Sequence, residues 1–226
     1  MKSFGRVAIA MLVAPLMLAS CALIGVIVNK THPPRKVPAA YKPPAGKTVL
    51  TLVETSLTDT DQPVARMLTE RLNKRFEKER VAAKTIPYEA LLGLLARTPE
   101  FNNMKPAEVG KNLNADLVCY VLVHKFELKS PDLGDLWRGN FEAAVSIVDV
   151  ATGEELWPVS SREGHHVRPV AMPPTNDSSP RYGDELAGTL CDGMADRIAK
   201  LFYDHTIPIE EEDQDQQLQQ DVWSGF

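Results

Sequence analysis

From Lys47 onward the hydrophobic and polar positions switch between two periods. Thr48–Glu54 (TVLTLVE) alternates and is rich in β-branched residues, which predicts a strand. Asp59-Thr60-Asp61 with Pro63 is a helix-start signal, and Val64, Leu68, Leu72 and Phe76 then form one apolar stripe that runs to Glu79. Val81–Ile86 reads as a short second strand. Pro87 opens a helix over Tyr88–Leu95, with Tyr88, Leu91, Leu92 and Leu95 as its buried face, and Pro106 opens another through Leu113. Asp116–Leu128 (DLVCYVLVHKFEL) is apolar on both faces in its first half, as an interior strand must be. Gly139–Val150 sets Phe141, Ala143, Val145 and Ile147 on one face against a more polar one, and Thr152-Gly153 makes the turn. Glu154–Arg162 is expected to return as an antiparallel strand containing Trp157, with Pro158 marking an edge or a bulge. Asp184–Phe202 carries Ala187, Cys191, Met194, Ile198 and Phe202 at helical spacing.

The predicted order is β-α-β-α-α-β-β-β-α over residues 47–204. This is an α/β (α+β) domain in three layers, a mixed five-stranded sheet with helices packed on it. Helical crossovers make the first three strands parallel, and strands three to five form an antiparallel meander. No segment repeats another.

Ahead of the domain the pattern changes twice. Lys2 and Arg6 precede an apolar run, Val7–Leu18, which ends in Ala19 and Ser20; residues 1–20 have the layout of a secretory signal peptide. Leu18-Ala19-Ser20-Cys21 resembles the bacterial lipobox, which implies a diacylglyceryl group on the Cys21 thiol, cleavage before it and a palmitate-type chain on the new amino terminus. Each buried CH₂ contributes about 0.8 kcal/mol, so several chains make a stable membrane anchor. Ala22, rather than Asp, fits outer-membrane sorting in the enteric pattern. The apolar run also continues to Val28, so the alternative is one uncleaved inner-membrane helix over residues 7–28. Both readings place Asn29 onward on the periplasmic side. Residues 29–46, with Pro33, Pro34, Pro38, Pro43 and Pro44, read as a tether, so that 21–46 is a lipidated cysteine and a proline-rich spacer reaching up to roughly 55 Å.

Charge narrows the partners. With 25 Lys+Arg against 30 Asp+Glu the chain carries a net −5, which excludes a strongly basic nucleic-acid binder. The tail 205–226 holds six of the acids and no Lys or Arg; it cannot bury enough apolar area to offset its ordering entropy and is expected to be disordered. Cys119 and Cys191 could pair in an oxidising compartment, but each also suits a small buried apolar position, and that is the preferred reading.

Asn114-Ala115-Asp116-Leu117-Val118 entering a strand, Val148-Asp149-Val150-Ala151-Thr152-Gly153-Glu154-Glu155-Leu156-Trp157 in a hairpin, and the closing helix resemble the amino-terminal domain of TolB and its relatives. Those relatives include the curli-secretion lipoprotein CsgG and the lipoprotein activators of penicillin-binding proteins. The resemblance covers roughly 47–203 and implies an anchored or periplasmic adaptor that touches cell-wall synthesis, secretion or transport machinery. The segment Gly164–Gly183 and the acidic tail have no counterpart in that group.

No nucleotide, hydrolase or thiol-redox motif occurs. The only metal candidate is His165-His166, near Glu163 and Asp177; neighbours on a strand point to opposite faces, so a shared ion would need irregular backbone. His124 reads as a pleat residue. No cofactor and no catalytic residue are expected. Candidate partner contacts are Leu133, Leu136 and Trp137 in the connection Leu128–Arg138, with Trp137 either anchoring a partner or folding back on the sheet, and Trp223 and Phe226 at the tip of the tail. The expected function is a non-enzymatic, lipid-anchored protein–protein adaptor of the bacterial envelope. The rivals are a periplasmic hydrolase or metalloprotein with an unrecognised site, and an oligomeric secretion-channel component.

Overall fold

The structure is a computed structural model that describes residues 35–55, 62–129, 136–159, 161, 163–175 and 180–207. Its contacts divide the chain into two units, one of them Ala39–Tyr203. The expected positions Cys21, Leu133, Asp177, Trp223 and Phe226, and the signal peptide, lie outside the described residues.

Within Ala39–Tyr203 the elements are β2 (Thr48–Thr55), α1 (Gln62–Lys78), β3 (Lys84–Thr85), α2 (Tyr88–Arg97), α3 (Pro106–Asn112), β4 (Leu117–Lys129), β5 (Trp137–Asp149), β6 (Glu155–Trp157), β7 (His165–Ala171) and α4 (Pro180–Lys200). The sheet runs β3-β2-β4-β5-β6, with β7 also paired to β5. As expected, β2 is parallel to β3 and to β4, and β5 is antiparallel to β4. One face is covered by α1 and α4. Val64, Leu68, Leu72 and Phe76 from the first, and Ala187, Cys191, Met194 and Ile198 from the second, are all buried with Phe202. Among the described residues the other face is covered at one end, where α2 and α3 bury Tyr88, Leu91, Leu94 and Val109 on Leu50, Leu52 and Val118.

Local chemistry stops each helix where it must. Residues 76–81 end α1 in a Schellman motif: the Val81 N–H donates to Phe76 O (2.8 Å), the Arg80 N–H to Glu77 O (3.2 Å), and Arg80 takes the left-handed conformation (φ 58°). Asn114 (φ 53°) closes α3 the same way, with the Ala115 N–H on Gly110 O at 2.9 Å, and so feeds β4. Gly110 itself is the close approach, since a Cβ there would lie 2.6 Å from a Val150 methyl and 2.8 Å from a Val118 methyl. Gly153 turns at φ 74°, with the Asp149 carboxylate accepting the Thr152 N–H at 2.8 Å. Inside the core, Thr51 Oγ1 donates to Asn73 Oδ1 and Asn73 Nδ2 to Ile86 O, both at 2.8 Å, so α1 is pinned to the sheet in one register.

Four details differ from the sequence reading. The sheet has six strands, because part of Gly164–Gly183 is β7. The strand expected over Glu154–Arg162 keeps only Glu155–Trp157; after Pro158, which has no N–H to give, the chain makes an excursion and resumes along the same edge of β5 as β7. Only Lys84–Thr85 of Val81–Ile86 joins a ladder, although Val81, Ala82 and Ile86 are buried. In α2 the third buried residue is Leu94, while Leu92 and Leu95 are 37% and 44% exposed. On the helical wheel its apolar arc runs from Leu94 through Leu91, Leu95 and Tyr88 to Leu92, opposite Glu89 and Arg97, and is wider than the part the core covers, so periodicity alone could not choose which edge of the arc turns inward.

The second unit joins the chain up to Pro38 with Asp204 onward. Here β1 (Arg35–Val37), in the stretch read as tether, pairs antiparallel with β8 (His205–Ile207), in the stretch read as tail. A ladder between segments so far apart in sequence has no local signature.

Candidate interaction surface

Trp137 opens β5 and is half-buried. Its ring lies 6.5 Å from Tyr182 and so close over Gly183 that a Cβ there would sit 2.6 Å from Cη2, while Lys129 Nζ stands 4.8 Å from the ring centroid. Its carbonyl accepts the Thr175 N–H at 3.0 Å. The ring is therefore folded back on the first turns of α4, and Leu136 beside it is also half-buried. Trp157 is engaged too, stacked 6.3 Å from Tyr41, edge-on to Phe202 at 5.6 Å and 4.9 Å from His165. Neither indole stands free as an anchor.

The adjacent histidines divide as strand geometry requires. His165 faces the core side against Trp157, and burial, then the neighbouring His166, pushes its pKa down. His166 faces the open side, and its ring lies 5.3 Å from that of His124, 23° from parallel. His165 and His166 thus cannot share one ion. Among the described residues no group of three or more His, Cys, Asp or Glu is gathered for a metal. Cys119 and Cys191 are free thiols buried in the core, each pushed up to about 12 by burial, which makes them packing residues rather than nucleophiles.

An open depression of about 220 Å³ is lined by Lys47, Lys111, Ala115, Asp116, Asp149, Val150 and Ala151. Ligand pockets are usually roughly 300–1,000 Å³. Its carboxylates are already committed: Asp116 accepts the Thr48 N–H at 2.7 Å and lies 3.5 Å from Lys47 Nζ, while Asp149 caps the Gly153 turn. The Thr48 N–H, then the Lys47 charge, hold the Asp116 carboxyl below the ordinary range. The depression is a joint between strand ends.

The outer side of α2 presents Leu92 and Leu95 with the exposed Gly93 and Ala96, rimmed by the Arg66–Glu89 ion pair at 3.1 Å. Val159, in the excursion between β6 and β7, is 92% exposed. Sequence reasoning placed Leu92 and Leu95 inside. The signal that could have corrected it was the width of the apolar arc in Tyr88–Arg97, which exceeds what one side of the helix can bury. Nothing in the sequence brings His124 to His166, which lie on different strands.

No family model matches this chain, and no curated protein does. Solved structures do. Lipoproteins and TolB are among its structural neighbours. Lipoprotein GNA1162 from Neisseria meningitidis is 15% identical, with 68% of this chain and 99% of that one covered and a TM-score of 0.40. The PelC dodecamer from Paraburkholderia phytofirmans is 13% identical, covering 71% and 92%, at 0.39. TolB from Acinetobacter baumannii is 9% identical over 75% of this chain and 31% of its own, at 0.30. No helix among the described residues is long and apolar enough to cross a membrane.

Proposed function

We propose that this protein is a lipid-anchored, non-enzymatic adaptor of the bacterial envelope, held by acylated Cys21 and facing the periplasm, in the outer membrane. It brings its domain to a protein partner of the cell-wall, secretion or transport machinery. The observation that carries the adaptor reading is α2. It already buries Tyr88, Leu91 and Leu94, and it still offers Leu92 and Leu95 to solvent on the flank beside them. An apolar arc wider than the part the core covers leaves an exposed patch, and a partner surface is what covers such a patch. The lipobox supports the anchor.

The test places a photo-crosslinking residue at Leu95 in native membranes, with the same residue at exposed Glu108 on α3 as control. One discrete cross-linked partner at position 95 and none at 108 is the expected result, and Leu92→Asp with Leu95→Asp should abolish it while the fold is kept. Equal, diffuse labelling at both positions would refute the docking role. Mass spectrometry of the native protein checks the anchor separately, since Met1–Ser20 still attached would exclude lipidation at Cys21.

A further inference from the structure

Two imidazoles from non-neighbouring strands meet on the open face of the sheet. His124 lies on β4 and His166 on β7, with β5 between them. Strands two apart are separated by about 9.5 Å, yet the ring centroids are only 5.3 Å apart. Two features of the backbone and one small residue close that distance. The β4–β5 ladder slips between Val123 and Lys125, so His124 is the extra residue of a bulge. The β5–β7 ladder slips between Phe141 and Ala143, where Arg197 of α4 donates to the carbonyls of Arg168 and Pro169. Bulges re-aim side chains and are frequent beside functional sites. Between the two histidines β5 carries Ala144, the register partner of His166, which is 1% exposed and leaves room for both rings to lean inward over its methyl.

We infer that His124 and His166 together form a binding site for a divalent transition-metal cation of the zinc, copper and nickel class, with water completing the shell. Imidazole nitrogen suits those ions. A ring centroid sits roughly 3.2 Å from an ion bound at one of its nitrogens, so two rings at a tetrahedral angle have centroids about 5.2 Å apart. The observed 5.3 Å is that spacing. The rings lie 23° from parallel, and chelation requires rotation about χ2, a soft torsion, at exposed side chains. Glu163 Oε2 is 3.9 Å from His166 Nε2, too far for a hydrogen bond but close enough to add negative charge to the site. The neighbouring charges on that face are already engaged: Lys125 pairs with Glu127 at 3.2 Å, and Glu142 accepts from Asn140 at 2.9 Å. Two protein ligands on an open face make an exchangeable site, distinct from the Leu92–Leu95 surface and independent of the adaptor reading.

The test is calorimetric titration of Zn²⁺ into the full-length, tag-free protein in detergent at pH 7.5, after removal of adventitious metal with EDTA. The chain has five histidines, so single alanine variants cover every imidazole. One saturable site is expected. His124→Ala and His166→Ala should each weaken it at least about tenfold, the scale on which even the outer partners of a metal ligand count. His32→Ala, His165→Ala and His205→Ala should leave it unchanged. Circular dichroism confirms that each variant is folded. No saturable site, a loss in only one of His124→Ala and His166→Ala, or an equal loss in His165→Ala would overturn the assignment.

Discussion

Asp116 shows how one side chain fastens three segments. It follows the Asn114 turn out of α3, starts β4, and takes the Thr48 N–H of β2 with Lys47 alongside. Because its folded pKa is held below the ordinary value, it contributes stability that is fully present above the unfolded pKa of about 4 and lost as pH falls through the lower folded value. Asp116→Asn should therefore lower the urea midpoint at pH 7. The gap from the wild type should shrink steadily below pH 4, and a gap of constant size across that range would mean that the charge is not what matters. Arg80 and Asn114 make a related point, because non-glycine residues accept the left-handed conformation when a Schellman pair of hydrogen bonds holds them there.

Elements differ in how far their own pattern commits them. Helix α3 is short, and Gly110 lets it lie against β4 and β5 at a distance no side chain permits. Gly110→Ala gains about 1 kcal/mol of helix propensity but drives a methyl into Val118 and Val150, and overpacking of this kind costs about 1–3 kcal/mol. A net loss of about 1 kcal/mol in denaturant unfolding is expected; an unchanged or raised midpoint would show that the two valines give way freely. Helices α1 and α4, with one apolar stripe and one polar side, sit as their stripes require. Their outer sides are joined by Arg71 to Asp192 (2.9 Å), a partly exposed pair of the kind usually worth at most about 1 kcal/mol. Helix α2 turns Glu89 and Arg97 outward, and the uncovered flank of its wide apolar arc carries the proposed docking surface.

On the scale of the whole molecule, the core beneath α1 and α4 holds both remaining cysteines, Cys119 from β4 and Cys191 from α4, fully buried and unpaired. Burial raises each thiol to about 12, so neither reacts as thiolate at neutral pH. An alkylating probe read by peptide mass spectrometry should leave both unmodified in the native protein. Both should become labelled together, at the denaturant concentration where the circular dichroism signal is lost. Labelling of Cys191 well before that point would reveal that α4 opens as a separate unit.

Read alone, the residues determine the order of the elements from β2 to β6 and the closing helix, the parallel direction of β2, β3 and β4, the buried stripes of α1 and α4, and the Gly153 turn. Each of these is written in a window of a few residues: a period of two or of four, a cap, a helical crossover too short to allow another hand. Tertiary structure decided the rest. It chose Leu94 over Leu95 as the inner residue of α2, because both lie on one wide apolar arc and only the sheet decides which edge of it is covered. It resumed the broken edge strand as β7, where a slip of the ladder sets the buried Val167 and Val170 three residues apart, so that no alternation is written in the sequence. It paired Arg35–Val37 with His205–Ile207 through backbone groups that every sequence possesses. Trp137 against Gly183 and His124 beside His166 belong to the same class. Such contacts depend on bulges and on the small residues between strands, and a chain records them only once the sheet has brought distant segments side by side.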